Sequence, residues 1–212
     1  MTRAARILSY ALHPLFMPLL TLWLALQLDL HLSYFLPAEL RWLMLGMVAL
    51  MTIAFPLTST LLLMRAGLVS SLYMHKRRER IAPYSMTLLY YGMSVYLLSK
   101  SALHPAGLAM LIGAFIALGL TTLVTLRWKI SAHMVGIGGS LGALLALNTL
   151  HSLDLLFPIA ALTLLAGALG TARLLVSDHT PAQVYCGFLL GMGSVLAAML
   201  TPWDLFLYNL QP

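Results

Sequence analysis

AGLAMLIGAFIALGLTTLVTL, residues 106–126, runs for 21 positions without a charged side chain. About 20 apolar residues at roughly 1.5 Å rise each match the hydrocarbon thickness of a bilayer, so this stretch predicts a membrane-crossing helix. Its apolar character is continuous rather than alternating, which excludes the strands of a membrane barrel; in lipid each amide must then be satisfied within its own helix. Working outward, apolar runs at about 10–28, 42–64, 84–99, 133–150, 155–175 and 182–201 predict the same element. The expected fold is an all-α, polytopic transmembrane bundle of six to seven spans, a single integral membrane domain over 1–212 with two N-terminal spans in 1–64. The run at 84–99 is the shortest and ends at Lys100, so its helix is expected to begin inside the basic segment that precedes it.

Composition agrees. Hydrophobic residues make up 61% of the 212 and charged residues 8%, with a mean hydropathy of +0.92, far from the globular averages of about half apolar and a quarter charged. Seven spans leave no length for a separate soluble domain, so function is expected in the spans and short loops. The net charge of +6 is dispersed between apolar runs; such residues serve topology, anionic lipid or phosphate, and nucleic acid is not an expected partner. Cys186 is the single cysteine, which excludes a disulfide framework and a cysteine-based zinc site. The N-terminus has a basic flank but no small-residue cleavage site before the apolar run continues, and it reads as a retained first span.

The basic residues are not spread evenly. They collect in HKRRERIAP (75–83), RWKISAH (127–133) and ARLLVSDH (172–179), each at the mouth of an apolar run. Two runs separate each segment from the next, so all three emerge on one side of the membrane. Gly138 with Gly142 and Gly187 with Gly191 lie one turn apart at the start of the helices that follow the second and third segments; small residues at that spacing let helices approach closely and would draw those mouths together. Placing the N-terminus inside puts ten Lys and Arg residues on the inner face and leaves Arg41 and Lys100 outside. The positive-inside rule then leans towards the cytoplasmic face of the membrane. Without the seven residues that a ligand would claim, the count is three against two.

The third segment places Arg173 six residues before His179, followed by a Thr-Pro and a Gly-containing helix start at Gly187. This resembles the third signature of the type 2 phosphatidic-acid phosphatase superfamily. Ile130-Ser131-Ala132-His133 keeps the Ser and His of the second signature, and Lys76, Arg80 and Pro83 match the first loosely. The likeness covers about 75–191, within an expected core of 75–201; the whole chain, with its HTPAQVY string at 179–185, is similar to a divergent bacterial, Bacteroidetes-like branch of that superfamily. Departures are definite: Gln183 stands for the family's Asp, Ala172 for its Ser, Ile130 and Ala132 for its Pro and Gly, and the Lys-to-Arg spacing is shortened.

The resemblance implies a metal-free, cofactor-free lipid phosphatase. His179 would attack phosphorus and form a phosphohistidine, and His133 would protonate the leaving oxygen. Lys76, Arg80 and Arg173 would hold the non-bridging oxygens with backbone amides near Ser131, and Gln183 would accept a hydrogen bond from the far ring nitrogen of His179. The residue types suit that chemistry. Phosphoryl transfer is mainly positioning and neutralisation of oxygen charge, Arg offers a planar two-donor fork, and a neutral imidazole is available near pH 7. Gln183 can orient the imidazole but supplies no charge; Asp178 and Glu79 are the acids near enough in sequence to help. Candidate substrates are isoprenyl diphosphate, phosphatidic acid, phosphatidylglycerol phosphate and phosphorylated lipid A.

The plain readings stand beside this one. Lys76 to Arg80 alone is a topology signal or headgroup anchor, and a single His near a helix end is an interfacial residue. The alternative function is a non-catalytic protein that binds anionic headgroups with the same pocket; a transporter comes third, since no pair of matched broken spans is visible. His13, His31, His75, His104 and His151 show no HExxH-type spacing, so no metal site is expected.

Overall fold

The structure, a computed structural model, describes residues 2–34, 36–72, 74, 76–176 and 179–202. Among the described residues every regular element is helical: α1 (Thr2–Ala11), α2 (Met17–Leu28), α3 (Leu30–Ser33), α4 (Ala38–Ala49), α5 (Phe55–Arg65), α6 (Ile81–Ser99), α7 (Pro105–Thr125), α8 (Ala132–Leu150), α9 (Leu156–Val176) and α10 (Pro181–Leu200). A π-turn at Leu50–Ala54 joins α4 to α5, and a 3₁₀ turn at Arg77–Arg80 leads into α6. The π-turn has a local cause. Pro56 has no N–H to donate and its ring would clash with the carbonyl four residues back, and Phe55 N–H reaches five residues back to Leu50, which widens the helix ahead of the proline.

Among the described residues five segments are long and apolar enough to cross a membrane: Ala38–Arg65, Pro105–Thr125, Ala132–Leu150, Leu156–Val176 and Pro181–Leu200. The helix α6 has comparable length, 19 residues, but carries Ser85, Thr87, Ser94 and four tyrosines, which makes it less apolar. It begins at Ile81, directly after the basic 3₁₀ turn, as its short apolar run suggests. The run at 10–28 is not one helix. A turn over residues 12–16 separates α1 from α2, because Pro14 lacks a donor and disfavours the helical region for His13. The apolar helix α2 has 12 residues, about 18 Å by helix rise.

Outward faces are apolar: Phe157 is 83% exposed, Leu164 76% and Leu89 74%. An apolar surface of that extent is compatible with contact to lipid. Exposed Tyr10, Trp128 and Tyr185 lie at the end of the bundle that carries the basic segments, and Tyr34, Trp42 and Tyr96 towards the other, where amphipathic rings suit the two headgroup layers.

At the centre stands α8, in which Ile137, Ala143, Leu144, Ala146 and Leu147 have no exposed surface. It packs against α2, α7, α9 and α10, and its closest neighbour is α10 through both glycine pairs. A Cβ on Gly191 would collide with the Val135 carbonyl, one on Gly138 with the Phe188 carbonyl and one on Gly142 with the Met192 carbonyl; on Gly187 it would sit 2.8 Å from Ser131 O. Each obstacle is backbone, which cannot rotate away. Gly191→Ala is therefore expected to lower the thermal midpoint in detergent, with a cost of about 1–3 kcal/mol for overpacking. Gly193→Ala, two residues on and open to space, should be neutral or stabilising, because Ala is the better helix former. Equal effects at both positions would remove the close-packing explanation.

Candidate functional site

The tight α8–α10 crossing sets the N-termini of both helices side by side at the end of the bundle where the basic segments emerge. Two further contacts stitch the three segments together. Arg80 donates from Nη1 to Ile130 O at 3.4 Å, joining the first segment to the second, and Ser131 N–H donates to Gln183 O at 3.3 Å, joining the second to the third helix start. Arg80 is only 8% exposed. Its Nε donates to Met74 O at 3.0 Å and its guanidinium hydrogen-bonds the Tyr84 hydroxyl, so its position is fixed from three sides. Arg173, in the last turn of α9, lies within electrostatic reach of Arg80 and Tyr84.

His179 is buried between α9 and α10, and its tautomer can be derived. The start of α10 is a capping box: Gln183 N–H donates to Thr180 Oγ1 at 3.4 Å, and Thr180 N–H donates to Gln183 Oε1 at 3.2 Å. A donor already directed at Oε1 identifies that atom as the amide oxygen, an acceptor. His179 Nδ1 lies 3.0 Å from the same oxygen and must therefore carry the proton. Nε2 is left with its lone pair. Burial pulls the His179 pKa down to about 4; the Gln183 hydrogen bond opposes this, and the charges of Arg80, Arg173 and Lys129 add to the lowering. At neutral pH the ring is neutral, surrounded by three cations.

His133, in the first turn of α8, lies within electrostatic reach of Arg173, His13 and His179. Its Nε2 is 3.1 Å from Ser9 O. A carbonyl can only accept, so Nε2 carries the proton and Nδ1 is the nitrogen free for another partner. The His13 ring packs edge-on against it at 5.4 Å between centroids. The Ser131 side chain has no exposed surface, and its Oγ has no hydrogen-bond partner among the described residues. Its own amide is taken by Gln183 O, so the backbone donors left at this helix start are those of Ala132 and His133, which have no intrahelical acceptor.

The structure thus links Arg80, Arg173, His179, Gln183 and His133 through electrostatic and hydrogen-bond reach, with the Ser131 amide bonded to Gln183 O. Lys76 is exposed at the start of the 3₁₀ turn, and the lysine whose charge reaches His179 is Lys129. Tyr84 and the Ser9 carbonyl are the members that sequence reading did not single out, and nothing in the sequence links Ser9 to His133; Lys129, inside RWKISAH and two residues before Ser131, is among the seven basic residues a ligand would claim but has no place in the motif. Arg77 serves the scaffold instead, since its Nη1 donates to Thr125 O and Leu126 O and closes the C-terminus of α7. Glu79 accepts from Ser70 Oγ at 2.8 Å and so anchors the loop before the turn. His75 and Asp178 lie outside the described residues. Among the described residues no carboxylate acts on His179.

An apolar cavity adjoins this cluster. It is lined by Pro14, Met17, Thr21, Tyr91, Ala132 and Gly136, among others, and Ala132 lies between Ser131 and His133. His179 and Arg173 are not part of its wall. Comparison of the chain with family models, curated proteins and solved structures finds no match in any of the three.

Proposed function

We propose that this chain is a membrane lipid phosphatase of the type 2 phosphatidic-acid phosphatase kind, hydrolysing a phosphomonoester or diphosphate of a lipid through a phosphohistidine on His179. The observation that carries the reading is the tautomer of His179: Nδ1–H is held by Gln183 Oε1, leaving an unprotonated Nε2 among Arg80, Arg173 and Lys129. A nucleophile needs a lone pair directed at the substrate and a partner on its other nitrogen. Phosphoryl oxygens need positive charge on several sides. Arg80, Arg173 and Lys129 supply that charge, with the first amides of α8 as further donors. His133 is the acid for the leaving oxygen: as an imidazolium that has taken a proton from water on Nδ1 and keeps Nε2–H on Ser9 O, it gives the Nδ1 proton to the leaving oxygen as the P–O bond breaks.

A lipid substrate fits the setting. The cluster lies at the end of an apolar bundle, next to a cavity between α2, α7 and α8 that suits a hydrocarbon chain. In this reading the chain crosses six times, with α6 counted and the shorter α2 in addition, and the site lies at one face of a bacterial inner membrane, the cytoplasmic face being favoured by the basic count. A second reading, headgroup binding without turnover, is favoured by one observation: Gln183 orients His179 without supplying negative charge.

Phosphate release from a panel of lipid phosphates tests the proposal. Turnover is expected to survive EDTA and to be inhibited by orthovanadate, a mimic of pentacoordinate phosphorus, because side-chain cations take the place of a magnesium ion. Activity that disappears with chelator and returns with a divalent ion would refute this. The pH profile follows from His179: kcat/KM reports the free enzyme, and a pKa of about 4 keeps Nε2 available down to that value. The acid limb should fall near pH 4, below the usual histidine range. A limb at about pH 6.5, the ordinary histidine value, would exclude His179 as the nucleophile in this environment.

A further inference from the structure

At the end of the bundle remote from the cationic cluster, a second set of titratable groups converges. Asp29, between α2 and α3, has no exposed surface. Its Oδ1 accepts from His31 N–H at 2.9 Å and lies 3.1 Å from His31 Nδ1, and its Oδ2 meets His151 Nδ1. His151 follows the last turn of α8 and is separated from Asp29 by 122 positions. The distance from His133 to His151 along α8 is about 27 Å by helix rise, so the two clusters occupy opposite membrane faces. The His31 and His151 rings lie 4.8 Å apart, and His104 packs edge-on against His151 with its centroid at 5.8 Å.

We propose that Asp29, His31 and His151 form a binding site for a zinc-class divalent transition-metal ion at the membrane face opposite the cationic cluster. Two imidazole nitrogens and one carboxylate oxygen are a ligand set for zinc-type ions rather than for magnesium or calcium. One ligand atom from each residue already lies within 4.8 Å of the others. Tetrahedral coordination at about 2.0–2.1 Å per bond needs ligand atoms roughly 3.3 Å apart, so small side-chain rotations complete the site. Burial adds the thermodynamic reason. A carboxylate removed from water is costly unless its charge is met, and among the described residues its ion-pair partners are both imidazoles, with no Lys or Arg among them. A divalent ion between the three side chains supplies the missing charge. The surrounding contacts orient the ligands: the His31 amide holds Asp29 Oδ1, in the way that outer partners fix metal ligands. His31, with a 63% exposed side chain, gives the ion a route in. His104 Nδ1 accepts the Ala106 amide, so His104 is a neighbour of the site and the fourth position is open to water.

The ion would tie the α2–α3 turn to the end of α8. The test uses the full chain in detergent, purified without a histidine tag, stripped with EDTA and dialysed against zinc chloride. One zinc per chain is expected by elemental analysis, with a rise in thermal midpoint, since a ligand that binds the folded state stabilises it. Asp29→Asn and His151→Gln should each weaken binding at least about tenfold, while His104→Gln and His13→Gln retain it. Absence of stoichiometric zinc on the wild-type chain, or unchanged affinity in both ligand variants, would overturn the proposal. Should those variants fail to fold, cobalt(II) on the wild-type chain decides. An intense tetrahedral visible spectrum, with two imidazoles in X-ray absorption, supports the site; a weak octahedral spectrum overturns it. Chelation removes this ion without touching the phosphatase site, so loss of thermal stability with turnover intact separates the two.

Discussion

Replacing His179 by Ala is expected to lower lipid-phosphate hydrolysis by roughly 10⁴-fold or more while leaving the chain folded and able to bind phosphate. The magnitude follows from removing a covalent nucleophile, whose loss in an assembled site costs about as much as losing its partners as well. The fold should survive because the start of α10 does not depend on the imidazole. Thr180 N–H still reaches Gln183 Oε1, and Gln183 N–H still reaches Thr180 Oγ1. Arg80, Arg173 and Lys129 remain to hold the anion, so affinity for a non-hydrolysable lipid phosphate should change far less than the rate. Radiolabel from a phosphorus-labelled lipid phosphate should appear on wild-type protein as an acid-labile adduct and be absent from the variant. Turnover that persists in His179→Ala would assign the attack to another group, with His133 an imidazole within electrostatic reach. Equal binding by both proteins with no turnover in either would favour the headgroup-binding reading.

Much of this arrangement is legible in the sequence, for reasons that differ by residue. Long apolar runs with at most one charge have few structural solutions in lipid, so α7 to α10 fall within a residue or two of their apolar limits. The parity of runs between basic segments puts Arg80, His133 and Arg173 at one end, and His179, one residue before the Thr180 cap, reaches Gln183 at the third helical position of α10, which their hydrogen bond uses. The break at His13–Pro14 is hidden by apolar character that continues through it, although Pro14 is its visible cause. Motif spacing favours Lys76 over Lys129 because it says nothing about which side chain turns inward; the 3₁₀ turn leaves Lys76 exposed and buries Arg80. Asp29 and His151 lie too far apart in the chain for any spacing rule to connect them, and only the packing of α2 against α8 does so.

Gln183→Asp is expected to raise the rate of phosphohistidine formation, by up to about 10⁴-fold, and to move the acid limb of the pH profile upward. The upper figure is the effect of exchanging acid for amide beside a catalytic histidine in a serine protease triad. Part of that effect is tautomeric and is already secured here by Gln183 Oε1, so the gain should fall below it. The charge part is new. As Nε2 attacks phosphorus the ring gains positive charge, and a carboxylate on Nδ1–H offsets a charge that the amide leaves uncompensated. The same anion stabilises the protonated free ring, so the His179 pKa must rise from about 4 and the acid limb must rise with it. Affinity for the lipid should change little, since the carboxylate acts on charge that develops in the transition state. Asp is one methylene shorter than Gln and could lose reach to Nδ1. Gln183→Glu keeps the length, and its carboxylate can still accept from Thr180 N–H at the start of α10, where negative charge also suits the helix dipole. A shift of the limb in either variant, together with a higher kcat, identifies the residue 183 side chain as the partner of a working nucleophile. A pocket that only binds headgroups has no attack to accelerate, so folded Asp and Glu variants without turnover across the lipid panel would leave the binding reading in possession of the site.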